Sequence, residues 1–197
     1  PARYALVIHG DPGLSAAAVQ GLGQQFPDAR VIEEKKIRVE VLDSLSGHPL
    51  CHRLRETNTL AIKAFDFVHT LRSDRMILFD SDLLFFARPT AFLDHLDSGR
   101  QTNTFNRDIA TAYAVDIEKI RTRGHKVLEE VNSGFGVVHG SSMQLDWMEE
   151  FLKIPGMPEG HFWRIEQTLF ALCGARFGME LLPDEYRVFL QGKVGGR

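Results

Sequence analysis

Cysteine is scarce: Cys51 and Cys173 are the only two in 197 residues. Two isolated thiols cannot build a disulfide framework or a cysteine metal cluster, so they are expected to be reduced core residues of a cytoplasmic protein. Long apolar runs are missing as well. Nothing approaches the roughly 18–20 residues of a membrane span, and a signal peptide is not expected. Excess positive charge is also lacking: 23 Lys and Arg against 26 Asp and Glu leave a net charge of −3. Without a basic stripe interleaved with aromatics, nucleic acid is not an expected partner. There are no repeats, no low-complexity tracts and no linker between two halves. A chain that is 44% hydrophobic and 25% charged is then expected to form one soluble globular domain over residues 1–197, with a sizeable core.

The chain does have one unusual run, Arg75-Met76-Ile77-Leu78-Phe79-Asp80-Ser81-Asp82-Leu83-Leu84-Phe85-Phe86. Near-continuous apolar residues predict a buried strand, yet two carboxylates interrupt it. Unpaired buried charges are costly, so these two are expected at a strand end, facing water or a cation. Hard ions such as Mn²⁺ or Mg²⁺ take oxygen ligands and share them with substrate phosphates, so Asp80 and Asp82 predict half of a metal–phosphate site. The plain alternative is a strand-to-turn exit, for which Asp and Ser are suited. Against it, the apolar run resumes at Leu83, where a simple turn would stay polar.

Around this run the elements alternate. A strand is predicted over 4–8, a helix capped by Ser15, a second strand over 29–32, a helix over 58–71, the Asp80 strand, and a helix over 90–96. That alternation predicts an α/β fold with a mixed, mostly parallel sheet flanked by helices. Later segments read as a strand near Asn103, an irregular strand over 130–139 loosened by glycines, helices over 146–152 and 163–173, and a short strand over 179–182.

Open α/β sheets bind ligands beyond the carboxyl ends of their strands, where Asp80, Ser81 and Asp82 would lie. Three features could meet them there. Asn132-Ser133-Gly134 offers an amide and a hydroxyl on a backbone that a ligand can approach. Glu166-Gln167 offers a carboxylate and an amide on a helix, and Lys63 offers a cation suited to a diphosphate. Each alone has a plainer reading as a turn, a solvated helix face or a surface lysine.

In order along the chain, Lys63, Asp80-Ser81-Asp82, Asn132-Ser133-Gly134, Glu166-Gln167 and Leu182-Pro183-Asp184-Glu185-Tyr186 resemble the GT-A glycosyltransferases of family 8. The resemblance implies a GT-A, Rossmann-like fold and retaining transfer of a sugar from a nucleotide sugar, a UDP-sugar above all, to a glycan, lipid or protein acceptor. It implies that Asp80 and Asp82 hold Mn²⁺ and the diphosphate, and that Asn132, Ser133 and Gly134 line the donor-sugar pocket. Gln167 would flank the anomeric carbon beside Glu166, which stands where the family usually has Asp. Asp108, in Phe105-Asn106-Arg107-Asp108, would hold sugar hydroxyls.

The resemblance also implies a shortened chain. Residues 4–11 match the family's second strand, so the first nucleotide-binding strand is expected to be missing. The family's third metal ligand is a His beyond the Leu-Pro-x-x-Tyr region, and no His follows His161. Two alternatives to an active transferase are a catalytically incomplete nucleotide-sugar-binding domain and a haloacid-dehalogenase-type phosphohydrolase. The latter would use Asp80 as nucleophile and Asp82 as acid and base. It expects Thr or Val at the position of Leu84 and a motif near the amino end, and neither is present.

Overall fold

The computed structural model describes residues 4–188. Its contacts gather into two compact units that divide between His69 and Thr70, where the composition had predicted one domain without a linker. Each unit is α/β.

The first unit opens with β1 (Val7–Gly10), α1 (Ala16–Gln25) and β2 (Arg30–Glu33), the two strands pairing in parallel. Ser15 caps α1 as its composition predicts, accepting the Ala18 N–H at 3.2 Å. Three helices follow: α2 (Glu34–Ser44), α3 (Pro49–Thr57) and α4 (Ile62–His69). The sequence reading placed no element between its strand over 29–32 and its helix over 58–71, where α2 and α3 lie. The first residue of α2, Glu34, is hidden in a buried ion cluster, which hydropathy cannot reveal. Arg55, 1% exposed, donates from Nε to Asp66 Oδ1 at 2.5 Å and from Nη2 to Asp66 Oδ2 and Glu34 Oε1 at 2.8 Å each. One guanidinium fork thus ties α2, α3 and α4 together.

The second unit holds β3 (Arg75–Phe79), α5 (Thr90–Asp97), β4 (Asn103–Arg107), α6 (Ile117–Arg121), β5 (Val131–His139), α7 (Leu145–Leu152), α8 (Phe162–Phe177) and β6 (Met179–Leu181). Its sheet runs β3-β5-β4-β6. β5 is antiparallel to both neighbours, while β4 and β6 are parallel. The sheet is therefore mixed, and its longest strand runs against the parallel direction expected from the alternation. Apolar runs specify burial but not strand direction, and β5 lies far along the chain from β3.

On this sheet pack Phe92, Leu96, Phe135, Val137 and Leu182. α8 is buried without interruption from Ile165 to Gly174, as a helix enclosed on all sides must be. Cys173 lies in this stretch, and burial pushes its thiol up to about 12, which leaves it unreactive. Among the described residues, no helix is long and apolar enough to cross a membrane.

Candidate functional site

The strand predicted over 75–86 ends at Phe79. The chain then turns at once, with the Leu83 N–H donating to Asp80 O at 3.3 Å. The apolar residues beyond do not resume a buried strand: Leu84 is 78% and Phe86 95% exposed. Asp-Ser-Asp is thus a strand-to-turn exit in geometry, and it places both acids at the strand end. Asp80 is half-buried there, whereas Ser81 and Asp82 face solvent.

Beside this turn, β5 is irregular on one edge only. Against β3 its register is unbroken through Phe79 opposite Phe135, and the Asp80 N–H continues the ladder to Gly134 O at 2.8 Å. Against β4, Phe105 faces Gly136 while Asn106 faces Asn132, so Ser133, Gly134 and Phe135 bulge from the pairing. Asn106 fills the gap, its Oδ1 accepting the Phe135 N–H at 3.2 Å. The bulge takes Ser133 and Gly134 out of the β4 ladder while Asn132 stays paired at its edge.

The candidate residues converge on this bulge. A Cβ placed on Gly134 would lie 3.0 Å from Asp80 Oδ2 and 2.8 Å from Asn132 Oδ1, so the absent side chain is what lets Asp80 sit over the strand. The Gly134 N–H donates to Asn132 Oδ1 at 2.8 Å, and Asn132 Nδ2 donates to Asp108 Oδ2 at 3.1 Å. Gln167 Nε2 reaches the same Asp108 oxygen at 3.4 Å and Ala112 O at 3.2 Å. Ser133 Oγ donates to Glu166 Oε2 at 3.3 Å. Glu166 and Gln167 are each 4% exposed, which excludes the solvated helix face that was their plain reading.

Asp80, Asp108, Asn132, Ser133, Gly134, Glu166 and Gln167 therefore form one connected patch. Lys63 belongs to the first unit, on α4, where it is half-buried. Two supporting residues escaped the sequence reading. Glu130 is the one non-glycine among the described residues with positive φ, 56°. Its carbonyl accepts the Asp108 N–H at 2.7 Å, and its carboxylate bridges Arg107 at 3.2 Å and Arg187 at 2.9 Å. Arg187 Nε in turn donates to Asp108 O at 3.2 Å. A left-handed Glu leaves no mark in hydropathy, although Asn106, two residues before Asp108 in the quoted motif, was open to notice.

Asp80 and Asp82 offer oxygen alone, the donor set of a hard ion such as Mn²⁺ or Mg²⁺. Among the described residues no three His, Cys, Asp or Glu gather as a metal group. A pair of carboxylates fits an ion only as an open site, with the other ligands from water and a bound anion. A cleft of ≈ 200 Å³ between α5 and β6, lined by His95, Arg100, Thr104 and Glu180 among others, includes none of the candidate residues.

No protein family, curated protein or solved structure matches this chain.

Proposed function

We propose that the chain is a metal-dependent glycosyltransferase domain of GT-A type, taking a nucleotide sugar as donor and transferring the sugar with retention. The observation that carries this reading is the convergence around Gly134. Residues singled out at four separate places in the sequence, Asp80, Asp108, Asn132 to Gly134, and Glu166 with Gln167, lie within a chain of hydrogen bonds and close contacts. A general α/β core gives no reason for four unrelated polar segments to meet.

Each part of the patch has a chemical task on this reading. Asp80 and Asp82 would hold Mn²⁺ or Mg²⁺, which would neutralise charge on the leaving diphosphate. The amides of Asn132 and Gln167 can bond sugar hydroxyls without bringing a charge to the anomeric centre. The Gln167 amide oxygen can stabilise an oxocarbenium-like centre, and groups of this kind are worth roughly 2.7–4 kcal/mol. The buried Glu166 side chain lies beneath the same surface and accepts the Ser133 hydroxyl. The roles of Lys63 on the diphosphate and of UDP as the nucleotide rest on the family resemblance alone, as does the identity of the acceptor.

The test is a substrate panel, UDP- and GDP-sugars against p-nitrophenyl phosphate, each with and without Mn²⁺. Release of nucleotide from a sugar nucleotide, lost in Asp80→Asn, is the expected outcome. Metal-dependent hydrolysis of the phosphate ester, also lost in Asp80→Asn and with no turnover of sugar nucleotides, would replace this reading with the phosphohydrolase.

A further inference from the structure

Asp108 is 8% exposed and accepts three N–H groups. Its Oδ1 takes the Ile109 N–H at 2.7 Å, and its Oδ2 takes Asn132 Nδ2 at 3.1 Å and Gln167 Nε2 at 3.4 Å. A carboxylate is an acceptor at both oxygens, whereas an amide has one donor end and one acceptor end. The partner therefore decides which way each amide points.

We infer that Asp108 is a positioning residue that fixes the orientation of two site amides, and that it does not itself touch the sugar. With Nδ2 held by Asp108, Asn132 must turn Oδ1 the other way, where it accepts the Gly134 N–H at 2.8 Å and supports the bulge beneath Asp80. Gln167 is held at one end only, its Nε2 donating both to Asp108 Oδ2 at 3.4 Å and to Ala112 O at 3.2 Å. Both hydrogens of that nitrogen are spoken for, so Oε1 is the end left for a ligand. An oxygen there favours a centre developing positive charge, and a flipped amide would present N–H donors and oppose it. Asp108 is itself anchored through its backbone, its N–H on Glu130 O at 2.7 Å and its carbonyl on Arg187 Nε at 3.2 Å. The acid expected to hold sugar hydroxyls is thus 8% exposed and already engaged by three protein donors, two of them on Oδ2. Its importance for the reaction rests on the transferase reading, but the orientation of the amides does not.

Asp108→Asn separates the two ideas, because it keeps the shape and replaces an acceptor by a donor. In the ¹⁵N-labelled full chain the NH₂ signals of Asn132 and Gln167 are assigned with Asn132→Asp and Gln167→Glu. Both pairs are expected to shift and to exchange faster with solvent in Asp108→Asn, and again in Asp108→Ala. In the sugar-nucleotide assay Asp108→Asn is expected to lower kcat about tenfold or more, with the Kd for Mn²⁺–UDP within about threefold of the parent. Unmoved NH₂ signals in both variants would overturn the inference, as would displaced signals with an unchanged kcat. A parent protein that turns over no sugar nucleotide would sink the transferase reading, and the NH₂ signals would still decide whether Asp108 orients the amides.

Discussion

At the scale of single residues, Gly134 and Gln167 are the most exposed to test. A methyl group at Gly134 would press on Asn132 Oδ1 at 2.8 Å and on Asp80 Oδ2 at 3.0 Å. Both are ends of side chains that can swing away, so the fold should tolerate Gly134→Ala while the site should not. We expect Mn²⁺–UDP affinity to fall about tenfold by calorimetry, with the melting temperature within about 3 °C of the parent. Gln167→Ala should behave in the opposite way. It removes the amide oxygen offered to the sugar, so kcat should drop about 10²-fold or more with nucleotide affinity nearly kept. Glu166→Gln is the control, because Glu166 sits beside Gln167 but accepts Ser133 Oγ at 3.3 Å. Were Glu166→Gln the more damaging of the two, the carboxylate would be the working member of the pair.

At the scale of elements, β5 and the buried Arg55 cluster decide what each unit can tolerate. Gly136 faces Phe105 just before the bulge, and a Cβ there would lie 1.9 Å from the Thr104 carbonyl oxygen. Backbone cannot move aside as a side chain can. Gly136→Ala should therefore destabilise the second unit by on the order of 2–4 kcal/mol in denaturant titration, unlike its neighbour Gly134→Ala. In the first unit Arg55→Leu would take the guanidinium from Asp66, 0% exposed, and leave Glu34, 4% exposed, with Arg38 at 2.8 Å. Loss of one partner from a buried ion cluster costs about 3–5 kcal/mol, whereas replacing Glu34, Arg38, Arg55 and Asp66 together by apolar residues should be milder. A loss below about 1 kcal/mol for Arg55→Leu would mean that water reaches the cluster.

The same elements show what the sequence could and could not reveal. The helices after Ser15 and Pro89, the strands near Asn103 and Met179, and the irregular β5 were legible because caps, breakers and apolar spacing are local signals. α2 was not, since the buried Glu34 is paired by Arg38 and by Arg55, the latter 21 residues away. The Asp80 motif was legible as a strand end. Its apolar continuation misled, because Leu84 and Phe86 look like core residues in sequence yet stand exposed. The candidate site was legible as a set of residue types in order. The bulge and the left-handed Glu130 that bring them together depend on strand register, which no short motif encodes.

At the scale of the whole molecule, three histidines with lowered pKa values set the response to acid. Burial holds His9 at about 4 rather than 6.5, with Arg30 adding to the effect. Burial also lowers His95 against the opposing pull of Glu180, and lowers His139 with help from Arg75 and His95. Between these folded values and the ordinary 6.5, the unfolded chain binds more protons than the folded one. Stability is therefore fully present above about 6.5 and lost progressively as the pH falls below it. Glu34 adds a second stage. Burial pushes its carboxyl up, but the bonds and charges of Arg38 and Arg55 outweigh this and hold it below 4.5. Its contribution persists above that value and disappears in stronger acid. The melting temperature should be flat from pH 8 to about 7 and then decline toward pH 4, less steeply in His9→Gln. A melting temperature that does not change over that range would show that the histidines are hydrated.

The central claim is that Asp80 and Asp82 hold a divalent ion together with a nucleoside diphosphate, and titration calorimetry tests it most directly. Two carboxylates form an incomplete shell, so Mn²⁺ alone should bind weakly and UDP alone weakly, while each should tighten the other by about tenfold or more. Asp80→Asn combined with Asp82→Asn should abolish that coupling and leave the melting temperature nearly unchanged, since Asp82 is exposed and Asp80 only half-buried. UDP binding that is indifferent to Mn²⁺, or a double variant that binds both as the parent does, would contradict it.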